Sequence, residues 1–186
     1  ALALQGPNSR AILNSIASNN LNGLKFFHHI KNEFNGIPVE VSRTGYTGDL
    51  GFEIWLNPKH ALPLWDTLMM AGKAFGITPA GLNALDMARI EASLILLDVD
   101  YISSRHAVIP SRKSSPFELG LGWTVKMRKN NFLGKSALLE EQSNASKWEF
   151  RGIEIEWNAL EREYNKVGLP PSLPTTAWRT STPLYV

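Results

Sequence analysis

The sequence contains no cysteine in 186 residues, so disulfide bracing, thiolate metal ligation and a cysteine nucleophile are all excluded. Four histidines remain as soft ligands. His28 and His29 are neighbours and diverge in regular structure, while His60 and His106 have no histidine or carboxylate at metal-ligand spacing. No metal site is expected from that pattern. The chain also lacks an excess of charge of either sign: 19 basic and 17 acidic side chains give a formal +2. That balance is too even to drive binding to a phosphate backbone, so nucleic acid is not an expected partner. A membrane-spanning helix needs about 20 apolar residues in a row, and no such run is present. The opening Ala1 to Leu4 has neither the basic flank nor the length of a secretion signal. The expectation is a soluble, cytoplasmic protein with no membrane partner.

Several catalytic signatures are missing as well. Gly-x-Ser-x-Gly is absent, so no nucleophile elbow can be placed. Gly134-Lys135-Ser136 resembles the end of a phosphate-binding loop, but the position that must be glycine is Lys129. Gly45, Gly48 and Gly51 are spaced by three and join two strands, which fits neither the dinucleotide fingerprint nor its helix N-terminus. The chain lacks an initial methionine and stops on the apolar Pro183-Leu184-Tyr185-Val186. We therefore expect a piece of a longer protein.

What is present is ordinary globular usage, 44% hydrophobic and 19% charged. Ala1 to Leu4 reads as a short strand, and Asn8 to about Ala17 as a helix with Ala11, Ile12 and Ile16 on one side. Residues 39–43 and 52–56 alternate with period two around a glycine-rich connection, the pattern of a β-hairpin. Asn57-Pro58 opens a helix to about Lys73, in which Leu62, Trp65, Leu68 and Met69 recur at three- and four-residue spacing. Thr78-Pro79 repeats the start signal for a second helix, with Leu82, Leu85, Ala88 and Ala92 on one face and Asp86 and Arg89 on another. Beyond an irregular stretch from Asp98 to Pro116, residues 121–126 read as strand, 132–141 as helix and 148–157 as strand. Strands and helices are segregated, so the fold class is α+β. A first domain is placed at residues 1–143, and the proline-rich Gly168 to Pro174 suits a rigid connector in the material that follows.

The most informative stretch is Arg43-Thr44-Gly45-Tyr46-Thr47-Gly48-Asp49-Leu50-Gly51-Phe52-Glu53-Ile54. Its glycines would let backbone approach a flat ligand, and alternation puts Glu53 and Trp55 opposite the core-facing Phe52 and Ile54. A carboxylate beside an aromatic suits a planar heterocycle offering two parallel N–H donors, such as the amino-pyrimidinone edge of a pterin. A hairpin turn with a solvated Glu53 is the alternative, and the residues alone leave both open.

Residues 43–54 closely resemble the signature of the aminomethyltransferase family, whose best-known member is the T-protein of the glycine cleavage system. Ala3-Leu4-Gln5-Gly6-Pro7, the stretch from Gly81 to Ala92, Gly120-Leu121-Gly122-Trp123 and Phe132-Leu133-Gly134-Lys135 agree with the family in order and spacing. The resemblance implies part of a folate-binding domain over 1–143 and the first strands of an incomplete C-terminal β-barrel over 144–186, including Pro174 to Arg179. It implies tetrahydrofolate as cofactor, Tyr46 against the folate and Glu53 on the pterin edge. The implied activity is one-carbon (aminomethyl) transfer from an amine donor, with a lipoyl carrier protein as partner. The family's catalytic aspartate lies upstream of the Leu-Gln-Gly-Pro strand, so none of Asp49, Asp86 and Asp98 is given that role. Where the T-protein pattern has a folate-contacting arginine just before Asp86, this sequence has Leu85, and the lost guanidinium donors must be replaced. Arg89 is the candidate, with an i,i+3 pairing to Asp86 as its structural alternative. Leu85 also keeps open a folate-dependent demethylase with a methyl donor, or a non-enzymatic relative that assists iron–sulfur assembly. Basic residues at Arg105, His106, Arg112 and Lys113, and at Lys126, Arg128 and Lys129, would either attract a folate's glutamate tail or form a solvated face. Incomplete barrel strands would leave edges open to homo-oligomerisation.

Overall fold

Asn35 and Gly36 both take positive φ, 47° and 79°, and make the two-residue turn whose twist matches a pair of antiparallel strands. They join strands β2 (His29–Phe34) and β3 (Ile37–Ser42), paired from Phe34↔Ile37 to His29↔Ser42. In the computed structural model residues 1–172 are described. They fall into two units, Ala1–Leu94 and a second beginning at Ile95.

The first unit is built on a four-stranded antiparallel sheet in the order β1-β4-β3-β2, where β1 is Leu2–Gln5 and β4 is Gly51–Trp55. β4 therefore lies between the first strand of the chain and the hairpin, paired Leu2↔Ile54 on one side and Val41↔Ile54 on the other. Period-two alternation buries Val39, Val41, Phe52 and Ile54 on one face, together with Leu4. Helices α1 (Ser9–Asn14) and α2 (Ala61–Gly72) add Ile12, Leu13, Leu64 and Leu68 to that core. Each such side chain contributes about 1.5–3 kcal/mol when fully buried. Asn57 caps the turn before α2 as its sequence position predicts, its Oδ1 accepting from the Lys59 amide at 3.1 Å. Helix α3 spans Leu82–Glu91.

The fold class is α+β, as expected, but several elements differ from expectation. The sequence pattern gave no strand at β2, which is largely polar. The inward face of α2 is Leu64, Leu68 and Gly72, whereas Leu62 and Trp65 are exposed. α3 starts at Leu82, four residues beyond Thr78, and it buries Asp86 and Arg89 while Leu82 is 77% exposed. Helical periodicity identifies which residues share a face, and a satisfied ion pair can occupy the inner one.

In the second unit α4 is Lys135–Asn144 and α5 is Trp157–Lys166. The strand expected at 121–126 is replaced by a helical turn over Gly122–Thr124. The strand expected at 148–157 does not form either; residues 148–156 are irregular and Trp157 opens α5. A strand needs a neighbouring strand to take its backbone N–H and C=O groups, and none is found among the described residues of this unit. The segments Pro174 to Arg179 and Pro183 to Val186 lie outside the described residues. No helix among the described residues is long and apolar enough to cross a membrane, and no cluster of metal-ligating side chains occurs among them.

Candidate functional site

The loop from Arg43 to Leu50 leaves β3 and enters β4. Glu53 follows on the solvent-facing side of β4, half-buried between the fully buried Phe52 and Ile54. The expected alternation is realised. Its carboxylate is oriented by a short relay of hydroxyls: Thr44 Oγ1 donates to Glu53 Oε2, and Ser42 Oγ lies 2.7 Å from Thr44 Oγ1. Since the Thr44 hydroxyl proton is committed to the carboxylate, the Ser42 hydroxyl donates to Thr44. Glu53 Oε1 has no hydrogen-bond partner among the described residues.

Tyr46, also half-buried, sits at the middle of the loop and donates its hydroxyl to the Leu94 carbonyl at 3.3 Å. Arg89 Nη1 donates to the same carbonyl at 3.3 Å, and its Nε lies 3.4 Å from Asp86 Oδ1. Tyr46 and Arg89 are thus brought together at one backbone oxygen, while Glu53 is tied to the other arm of the loop. Arg89 is 1% exposed. Its guanidinium is enclosed by Asp86 and the turn after α3, and burial of a charge on this scale requires such partners.

The glycines of the loop have different reasons. Gly48 has φ 77°, and a Cβ there would lie 2.5 Å from that of Ala92, so the loop backbone rests directly against the end of α3. At Gly45 and Gly51 a Cβ would meet Gln5 Oε1, at 2.0 and 1.6 Å. The space expected for a flat ligand is, at these two positions, filled by the Gln5 side chain. The sequence reading missed Gln5, and its one signal is a polar side chain ending an otherwise apolar strand before Gly6-Pro7. On the other flank, Gly6 N and Ser9 Oγ both donate to the Leu50 carbonyl, at 2.7 and 3.3 Å. Arg10 stands 6.0 Å over the Phe52 ring.

Of the basic residues expected to steer a folate tail, His106 is paired with Asp98 at 3.2 Å. The Asp98 carboxyl is held below the usual range, first by the Ser103 amide at 2.9 Å and then by His106, against a desolvation that acts the other way. Surface depressions occur at residues 125–129 and 131–139, and neither includes Tyr46 or Glu53.

The family model described as the GCVT N-terminal domain matches residues 1–129. An aminomethyltransferase from Halothermothrix orenii is 41% identical over 161 residues, covering 87% of this chain and 43% of that protein. A trimethylamine-oxide aldolase from Ruegeria pomeroyi is 38% identical over 167 residues, which are 84% of this chain and 20% of that protein. Among solved structures, the glycine cleavage system aminomethyltransferase T from Bartonella henselae superposes with a TM-score of 0.60 at 31% identity, over 76% of this chain and 36% of that one. The chain spans less than half the length of these relatives. Matched over more than half its length by that family model, the chain belongs to the GCVT N-terminal domain family.

Proposed function

We propose that the protein containing this chain is a tetrahydrofolate-dependent aminomethyltransferase of the glycine cleavage T-protein type. Tyr46 and Glu53 contact the folate, and Arg89 supports the site from behind the loop. One observation carries this reading: Glu53 projects from β4 with Oε2 held by Thr44 and Oε1 left to accept, on the rim of the loop that bears Tyr46. Each carboxylate oxygen has two lone pairs, so both can take the parallel N–H donors of a pterin edge even with Thr44 in place. Bound tetrahydrofolate would supply the nitrogen that takes up the one-carbon unit. The chain's own part is positional: Glu53 fixes the ring's orientation, Tyr46 covers it, and the loop keeps water from that side. Arg89 shares the Leu94 carbonyl with Tyr46 and so acts on the tyrosine's position.

The reading carries a cytoplasmic setting and a lipoyl-bearing carrier as amine donor. It also keeps the domain division at 143/144 and the assignment of 144–186 to the opening of a β-barrel, although residues 144–172 contain α5 and no strand. Calorimetric titration of the full-length protein with tetrahydrofolate is the test. Hydrogen bonds to a charged group contribute about 1.5–3 kcal/mol, so Glu53→Gln should weaken binding roughly 10- to 150-fold. Equal affinity in both proteins would remove Glu53 from the site. The aldolase relative and Leu85 favour one further check, the identity of the product. Methylene-tetrahydrofolate supports aminomethyl transfer; methyl-tetrahydrofolate would replace it with a demethylase.

A further inference from the structure

We infer that Gln5 is the positioning residue of the folate-contacting loop, setting where Tyr46 stands relative to Glu53. The inference rests on the functional reading above for its ligand, and on separate geometry for the clamp itself. Gln5 is the last residue of β1 and pairs with Gly51 across the sheet. Its carboxamide leaves β1 and enters the mouth of the loop. Nε2 donates to the Thr44 carbonyl at 3.4 Å and the Phe52 carbonyl at 3.3 Å, and Thr47 Oγ1 donates to Oε1 at 3.4 Å. A single planar group therefore touches the entry, the middle and the exit of the loop.

These hydrogen bonds are long, and they act together with the close packing of the amide over Gly45 and Gly51. Gly45 and Gly51 have no positive φ, so neither needs to be glycine for its backbone conformation. The space where both Cβ atoms would lie is taken by the Gln5 amide, so a side chain at either position would displace it. Because Tyr46 follows Gly45 and Glu53 is two residues beyond Gly51, the width of the amide fixes the separation of the two arms that carry them. Gln5 acts through Tyr46 and Glu53, and a ligand contact of its own is not required.

The test is a double-mutant cycle in the full-length protein with Gln5→Ala and Gly45→Ala. Gln5→Ala should raise the KM for tetrahydrofolate about tenfold, a modest share of what an ångström of misplacement can cost, with kcat within about twofold. A residue needed only for folding would instead lower kcat in proportion to the folded fraction and leave KM unchanged, and that result overturns the inference. Gly45→Ala, which pushes the Gln5 carboxamide out of the loop mouth, should raise KM by a similar factor and add little in the Gln5→Ala background; additive effects overturn the clamp. Should Gln5→Ala fail to fold, Gln5→Glu keeps the volume but turns an acceptor toward two carbonyls, and the same rise in KM is expected. If the unsubstituted protein neither binds nor turns over tetrahydrofolate, the functional reading falls. Amide exchange then judges the clamp alone. Faster exchange at residues 44–50 in Gln5→Ala, with β2 and β3 unaffected, supports it, and unchanged exchange overturns it.

Discussion

The first unit encloses a continuous apolar cluster from Leu4 to Leu68, whereas no side chain of the second is buried among its described residues. In the second, Trp123 is 82% exposed and Leu133 fully so. Both units have helices, and the second has well-made local hydrogen bonds. Ser115 and Glu118 exchange side-chain and backbone bonds at 3.0 and 3.1 Å in the manner of a capping box. In α5, Trp157 Nε1 donates to Glu161 one turn on at 2.8 Å. Local bonds of this kind contribute tenths to about one kcal/mol each and do not replace the burial that makes a fold cooperative. Local structure and tertiary stability are therefore separable along this chain, and the candidate site belongs to the part that has both.

The largest expected effect tests that separation directly. Phe52→Ala should cost about 3–5 kcal/mol in denaturant unfolding of the sheet, while Trp123→Ala stays within about 0.5 kcal/mol; comparable losses would erase the distinction. Next comes the buried ion pair behind the loop. Arg89→Met should destabilise by about 3 kcal/mol because it removes one side of a buried ion pair, and adding Asp86→Leu should recover part of that loss. Thermal unfolding of the single and double variants reads this out, and a double variant as unstable as the single one would contradict it. A glycine pair sharpens the comparison on a smaller scale. Gly48→Ala forces a side chain into positive φ against Ala92 and should cost about 1–2 kcal/mol. Gly152, with open space around its missing Cβ, should accept alanine with no loss.

The smallest effect is set by pH. The folded-state pKa of Asp98 is lowered, chiefly by the Ser103 amide, so its contribution is fully present above the ordinary aspartate value of about 3.9. It is lost as pH falls through the lower folded value. Acidification below pH of about 4 should release residues 98–106, seen as faster exchange at the Ser103 amide, while exchange in β3 and β4 is unchanged. Asp98→Asn should abolish that local pH response.

How much of this was legible in the sequence depended on where the controlling contact lay. The β3 and β4 strands, the cap at Asn57 and the sidedness of Glu53 follow from spacing within a few residues, and each was found. β2 was missed because His29 to Phe34 is mostly polar and Asn32 points inward, satisfied by Asn19, whose carbonyl accepts from Nδ2 at 2.6 Å; Asn35-Gly36 was the available signal. The two faces of α3 were separable in sequence, but not that the inner one carries Asp86 and Arg89, because a buried pair looks like a solvated one in sequence. The role of Gln5 had only its polar side chain at the end of an apolar strand to signal it, because its partners are 39 to 47 residues away. The strands expected at 121–126 and 148–157 have the right alternation and no neighbouring strand, a condition that no local pattern reports.

The strand order also has a consequence in time. β1 leaves the ribosome first, yet its partner β4 is made last of the four strands and must slip between β1 and the completed β2–β3 hairpin. At roughly 5–20 residues per second, the Leu2–Gln5 segment waits some seconds for its β4 partner. During that interval the β2–β3 hairpin is complete and the place between it and β1 is still to be filled. The sheet and the mouth of the loop then close together as β4 docks, and the core beneath is completed when α2 follows with Leu64 and Leu68.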